Sequence, residues 1–123
     1  MATPKTFQLA VEIFAHLVAC AKDRRTITYG QLEKLVGHPA YFLGKPLDVL
    51  RDQILLEHHL PRLDALVVNK DTREVGDNFF ADGRGSISNA DFKRLLDGER
   101  EKVFAYERWD EINLRLRAMY LKK

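Results

Sequence analysis

The stretch Thr26-Ile27-Thr28-Tyr29-Gly30-Gln31-Leu32-Glu33-Lys34-Leu35-Val36-Gly37 constrains the fold more than any other part of the chain. A β-branched pair, Ile27-Thr28, runs directly into a helix start. Thr28 has the hydroxyl that an N-cap needs. Gln31, three residues on, completes a capping box, in which each side chain satisfies a backbone N–H that the first turn leaves orphaned. Leu32, Leu35 and Val36 then share one helical face, and Gly37 can take the left-handed conformation that ends a helix. The segment from His38 to Leu47 reads as a turn leading into another helix. Short helix, tight turn, second helix is the pattern of a helix-turn-helix.

The second helix of that pair is expected to start at about Ala40 or Lys45 and to end near Glu57. Pro46 fits the first turn of a helix that begins near Gly44 and would kink one that begins at Ala40. Leu43, Leu47, Leu50 and Ile54 form its expected buried face. Its outer side mixes Lys45 and Arg51 with Asp48 and Asp52, so it is less basic than a DNA-reading helix usually is. Leu66-Val67-Val68 is the clearest strand signal. Asn69 to Arg73 reads as a turn and Glu74-Val75 as a returning strand, which together make an antiparallel hairpin, or wing. Lys70 and Arg73 on that wing are placed for the phosphate backbone.

The flanking segments read as support. Phe7, Ala10, Val11, Phe14, Leu17, Val18 and Ala21 recur at spacings of three and four, which predicts a long helix ending near Lys22 and roofing the core. Ser88 is a good cap for a helix carrying Phe92, Leu95 and Leu96 and closing at Gly98. Val103 to Tyr106 fits either a strand or a turn of helix. Trp109, Ile112, Leu116 and Met119 or Tyr120 repeat at helical spacing. The expected fold class is therefore α+β, mainly α. It is a winged helix-turn-helix with a small antiparallel β-hairpin and added N- and C-terminal helices. Residues 1–123 make one domain, with the helix-turn-helix and wing at 24–76.

Bulk properties bound the function. At 123 residues, 46% hydrophobic and 31% charged, the chain has room for one core. Its 20 Lys+Arg against 18 Asp+Glu give a net charge of +2, which permits nucleic-acid binding without arguing for it. The single cysteine, Cys20, cannot form an internal disulfide, which fits a reducing cytoplasm. No stretch approaches the roughly 18 apolar residues of a membrane span, and no signal pattern opens the chain. His58 and His59 are adjacent and so point in different directions on a helix, unlike metal ligands at i and i+4. Gly83-Arg84-Gly85 is too short for a phosphate-binding loop, and Phe79-Phe80 reads as a plug pinning a loop. No Ser/His/Asp signature and no carboxylate in an apolar setting marks a catalytic centre. The sequence predicts a non-catalytic chain with no metal and no cofactor.

Thr28-Tyr29-Gly30-Gln31-Leu32-x-x-Leu35-Val36-Gly37, followed by Ala40-Tyr41-Phe42-Leu43-Gly44, resembles the winged-helix DNA-binding portion of alkylguanine-DNA alkyltransferases and alkyltransferase-like proteins, over residues 24–76. The resemblance implies that Tyr29 helps turn a nucleotide out of the duplex. It also implies that Tyr41 stands where the family has an arginine that fills the vacated stack, and an aromatic wedge can also unstack bases. The family's reactive centre is Pro-Cys-His-Arg. The comparable stretch here, Leu60-Pro61-Arg62-Leu63-Asp64, has neither cysteine nor histidine. Without a thiolate there is no alkyl acceptor.

Two functional readings follow. The first is a module for duplex DNA, carried by Tyr29, Tyr41, Lys45, Arg51, Lys70 and Arg73. The second is a protein-interaction module, such as an immunity protein or an inhibitor of a bacterial or phage defence enzyme. It rests on the balanced charge and on the aromatic-rich second half, because aromatics and arginine are favoured at interface hot spots. Homodimerisation through the C-terminal helix is compatible with either. An anion-sensing role for Arg84 in the 83–85 loop is a third option.

Overall fold

Apolar spacing at the start of the chain produces helix α1 (Pro4–Lys22), with proline in its first turn, where its missing N–H costs nothing. In the computed structural model, which describes residues 4–37, 43–69 and 88–120, α1 is the hub of the fold. Ala10, Val11, Ile13, Phe14, Leu17, Val18, Cys20 and Ala21 are all buried. At ~100° per residue they cover about half the helix circumference. The sequence predicts a roof, with one covered face. The breadth of the apolar stripe instead lets other helices pack on α1 from several sides. Its end is a Schellman turn in which Arg24 takes a left-handed φ of 53° and the Arg25 N–H donates to the Cys20 carbonyl at 3.0 Å. Arg24 then reaches across to Glu101 at 3.0 Å and lies over the Phe104 ring at 4.9 Å.

The central stretch folds as its capping chemistry dictates. Strand β1 (Ile27–Thr28) leads straight into α2 (Tyr29–Val36). The Gln31 N–H donates to Thr28 Oγ1 at 3.1 Å, and the Thr28 N–H donates to Gln31 Oε1 at 2.9 Å. Gly37, at φ 76°, closes the helix by donating its N–H to the Glu33 carbonyl. Helix α3 (Gly44–Val49) begins where Pro46 falls in the first turn, as the Gly44 alternative predicts.

A π-helical stretch, Leu50–Leu56, continues α3. In an α-helix Leu50 and Leu55 would stand about 140° apart. The i→i+5 ladder brings them to one face, so both are buried together with Ile54. Val49 is buried as well, whereas Leu47 is only partly covered. The stretch ends in a second Schellman turn. His59 has a left-handed φ of 55°, and the Leu60 N–H donates to the Leu55 carbonyl at 2.8 Å.

A 3-10 turn (Leu63–Leu66) then delivers strand β2 (Val67–Val68). The pairing differs from the expected antiparallel hairpin. β2 lies parallel to β1, with Ile27 opposite Val67 and Thr28 opposite Val68. Two physical signals fit this outcome. Leu66-Val67-Val68 is continuously apolar rather than alternating, the pattern of a strand covered on both faces. The helices between the two strands also supply the long crossover that a parallel pair requires. The expected returning strand at Glu74-Val75 lies outside the described residues, and so do the wing residues Lys70 and Arg73 and the aromatic pair Phe79-Phe80.

Helix α4 (Asn89–Ala105) is capped by Ser88, whose Oγ accepts from the Asp91 N–H at 3.1 Å. It runs through Gly98 instead of ending there. Beyond Gly98, Arg100 donates to the Ala65 carbonyl at 3.0 Å, Lys102 pairs with Glu99, and Val103 is fully buried. The tertiary contacts of Arg100 and Val103 outweigh the ~1 kcal/mol that an interior glycine costs. Val103 and Phe104 are accordingly helical. Helix α5 (Trp109–Tyr120) packs back on α1. Trp109 anchors the corner: its ring meets Phe14 edge-on at 5.7 Å and Tyr106 at 4.7 Å, and its Nε1–H donates to the Val103 carbonyl at 2.9 Å.

A Cβ added at Gly98 would meet nothing within 4 Å, and the position is solvent-exposed. Gly98→Ala is therefore expected to stabilise the chain by about 0.5–1 kcal/mol. An increase in the chemical-denaturation midpoint with an unchanged slope would show it.

Candidate functional site

Two places gather polar or accessible chemistry. The first surrounds the start of α2, where Tyr29 is the first helical residue and packs partly against the core. Arg51, on the π-helical stretch, forms a bidentate pair with Asp52, Nε–Oδ1 at 2.8 Å and Nη2–Oδ2 at 3.0 Å. Its Nη1 also stands 3.4 Å from Asp48. The hydrogen bonds from Arg51 hold the Asp52 carboxyl below the ordinary carboxylate range, and the Asp52 partner raises the Arg51 guanidinium above its own ordinary value.

Beside this pair sits a second one that is nearly buried. Arg62 donates from Nε and Nη2 to the two Asp64 oxygens at 3.0 and 2.9 Å, with side chains only 10% and 11% exposed. Asp64 is the nearly buried partner of Arg62, and its charge is felt by both Tyr29 and Arg51. Burial first, then the charges of Asp64 and Asp48, push the Tyr29 phenol above its ordinary value. Arg51, Arg62, Asp48, Asp52 and Asp64 thus form a cluster with one more acid than base. Its arginines are already engaged by carboxylates.

Of the residues expected to contact nucleic acid, Tyr29 and Arg51 lie in this cluster, and Lys45 is exposed on the first turn of α3. Tyr41, Lys70 and Arg73 fall outside the described residues.

The second place was not anticipated as a site. A groove of about 460 Å³ opens where α5 meets the beginning of α1 and the end of the π-helical stretch. That volume is in the range of small binding pockets, ~300–1,000 Å³. Its floor is apolar: Phe7 from α1, Ile54 and Leu60 from the π-helical side, and Ile112 and Leu116 from α5. Tyr106, fixed by Trp109, forms one end. Met119, 67% exposed, stands at the mouth. Polar side chains sit on the rim, and the charged ones on it are Arg108 and Arg115. Among the described residues no carboxylate lines the groove. Glu111, just outside, accepts from Arg108 Nε and Nη2 at 3.2 and 3.0 Å and stands 3.2 Å from Arg115 Nη2.

The sequence signal for this groove was half present. The spacing of Ile112, Leu116 and Met119 marks an apolar stripe, but the gap that α1 and the π-helical end leave beside it depends on tertiary packing. Among the described residues no three His, Cys, Asp or Glu side chains converge as metal ligands, and no helix is long and apolar enough to cross a membrane. Comparison with protein-family models, with characterised proteins and with solved structures finds no match for the chain.

Two outcomes check the cluster. Arg62→Met leaves the Asp64 carboxylate buried without its partner and is expected to cost about 3 kcal/mol. Arg62→Met with Asp64→Leu recovers most of that loss, because two apolar groups need no pairing. Denaturant melts of the single and double variants measure both. The second outcome concerns alkaline pH. The folded chain holds the Tyr29 proton more tightly than the unfolded chain does, so stability falls as pH rises past the ordinary tyrosine value of ~10. Tyr29→Phe should flatten that alkaline loss in a pH series of melting curves.

Proposed function

We propose that the chain is a non-catalytic binding module whose partner is a protein, carried on a winged-helix-like scaffold. The observation behind this reading is the apolar groove beside α5, with Met119 exposed at its mouth and two arginines on its rim. Apolar surface open to water costs ~25 cal/mol per Å², and a partner's apolar side chains would cover it. Arginine and aromatic groups at the edge of an apolar patch are the residue types that carry binding energy between proteins. The exposed Leu114 on α5, 70% accessible, adds to the same helix a second point where a partner, or another copy of the chain, could rest.

A duplex-DNA reading keeps specific support. α2 and α3 follow each other with the capping and proline placement of a helix-turn-helix, and Tyr29 stands at the entry of α2. The charges around it favour it less. A phosphate approaching Arg51 would meet Asp48 and Asp52 already bound to that arginine. Phosphate binding needs accessible cations and weakens steeply with salt.

Affinity purification of the tagged chain separates the two readings. The protein reading expects a stoichiometric protein partner that stays bound at ~0.5 M salt, where surface charges are screened, and that is lost on Met119→Lys. Retention of duplex DNA that is released by salt and abolished by Tyr29→Ala with Lys45→Glu would overturn it in favour of the nucleic-acid reading.

A further inference from the structure

We infer that the groove beside α5 receives a short amphipathic helix that carries carboxylates, supplied by a protein partner; the inference rests on the protein-partner reading above. Length comes first. The groove-facing residues Arg108, Ile112, Arg115, Leu116 and Met119 follow one side of α5. Residues 108 to 119 span roughly 16 Å at 1.5 Å per residue, about three turns of a helix lying alongside. A helix in a groove is read through apolar anchors at i, i+3, i+4 and i+7, and Phe7, Ile54, Ile112 and Leu116 offer apolar surface for them.

Charge then selects the kind of helix. Among the described residues the rim presents two guanidinium groups and no carboxylate. Glu111 accepts from one edge of Arg108, through Nε and Nη2, and lies beside a single nitrogen of Arg115. A guanidinium has five N–H donors in a rigid fork, so each arginine retains N–H groups beyond those facing Glu111. Glu111 also holds the two side chains in place, which lowers the ordering cost of a second carboxylate that binds them. A nucleic-acid backbone would satisfy the arginines but leave the apolar floor uncovered. A basic helix would cover the floor and meet repulsion at the rim.

The test uses the full chain and two synthetic helical peptides. Both have leucine at i, i+3, i+4 and i+7; one has glutamate and the other lysine at the flanking positions. Fluorescence anisotropy measures binding. The glutamate peptide is expected to bind at least about tenfold more tightly than the lysine peptide. Arg108→Glu with Arg115→Glu should reverse that order, and the reversal also shows that the variant is folded and its groove intact. Arg108→Gln with Arg115→Gln should abolish the preference without reversing it. Leu116→Ala should weaken both peptides.

Equal binding of the two peptides, binding by neither, or a preference untouched by the arginine variants would each overturn the inference. So would self-association of the free chain that Met119→Lys abolishes, since the occupant would then be a second copy. If a salt-resistant protein partner is retained but the arginine variants do not affect it, the protein-partner reading stands and the acidic helix falls.

Discussion

The burial of α1 along half its circumference is the constraint to which every other element answers. A helix with one apolar face needs one neighbour, but α1 buries side chains from Ile13 and Cys20 on one flank round to Val11 and Val18 on the other. Each large side chain taken fully out of water contributes about 1.5–3 kcal/mol before entropy is counted. No single helix can cover that arc. α2, α3 with its π-helical continuation, the 3-10 turn and α5 share it, and α4 joins at one side. The groove is a product of this sharing. Where the beginning of α1, the end of the π-helical stretch and α5 converge, their side chains do not fill the space among them.

Thr28 links the two kinds of secondary structure in this arrangement. Its backbone belongs to β1 and pairs in register with Val68, and its hydroxyl caps α2. One residue thereby sets where the sheet ends and in which direction the first short helix leaves it. The parallel pairing brings the 3-10 turn close to the start of α2, so that the Arg62–Asp64 pair and Tyr29 come within electrostatic reach. The acid-rich character of that corner follows from topology as much as from composition.

Much of this was legible in the sequence, for reasons tied to particular residues. The Thr28/Gln31 box, Gly37 and the position of Pro46 are local rules, and local rules survive folding. The period of α5 was readable because Trp109, Ile112 and Leu116 bury a single face. What could not be read was non-local. Val67-Val68 announced a strand but not its partner. Gly98 is a helix breaker by propensity, and it is overruled by Val103 and by Arg100 bound to the Ala65 carbonyl. Val49 and Leu55 fall off the face that a 3.6-residue period predicts, because the turn around them is wider. Of the six residues expected to touch nucleic acid, the structure unites Tyr29 and Arg51 and leaves Lys45 on the surface. The groove escaped notice because it belongs to no one segment.

The widened turn at Leu50–Leu56 has a consequence for how this chain tolerates changes in length. An i→i+5 ladder holds one more residue per turn than its α-helical neighbours, so the segment carries a surplus residue stored within a regular element. Removing one residue there would let the ladder tighten into an ordinary α-helix with its backbone bonds intact. Everything beyond it would keep nearly the same rotational phase relative to α3, because the residue removed is the surplus one. Ile54 lies within that stretch and His58 and Leu60 just past it, all along one side of the groove. A single-codon deletion in this stretch would therefore spare the helix and leave that wall close to its present orientation.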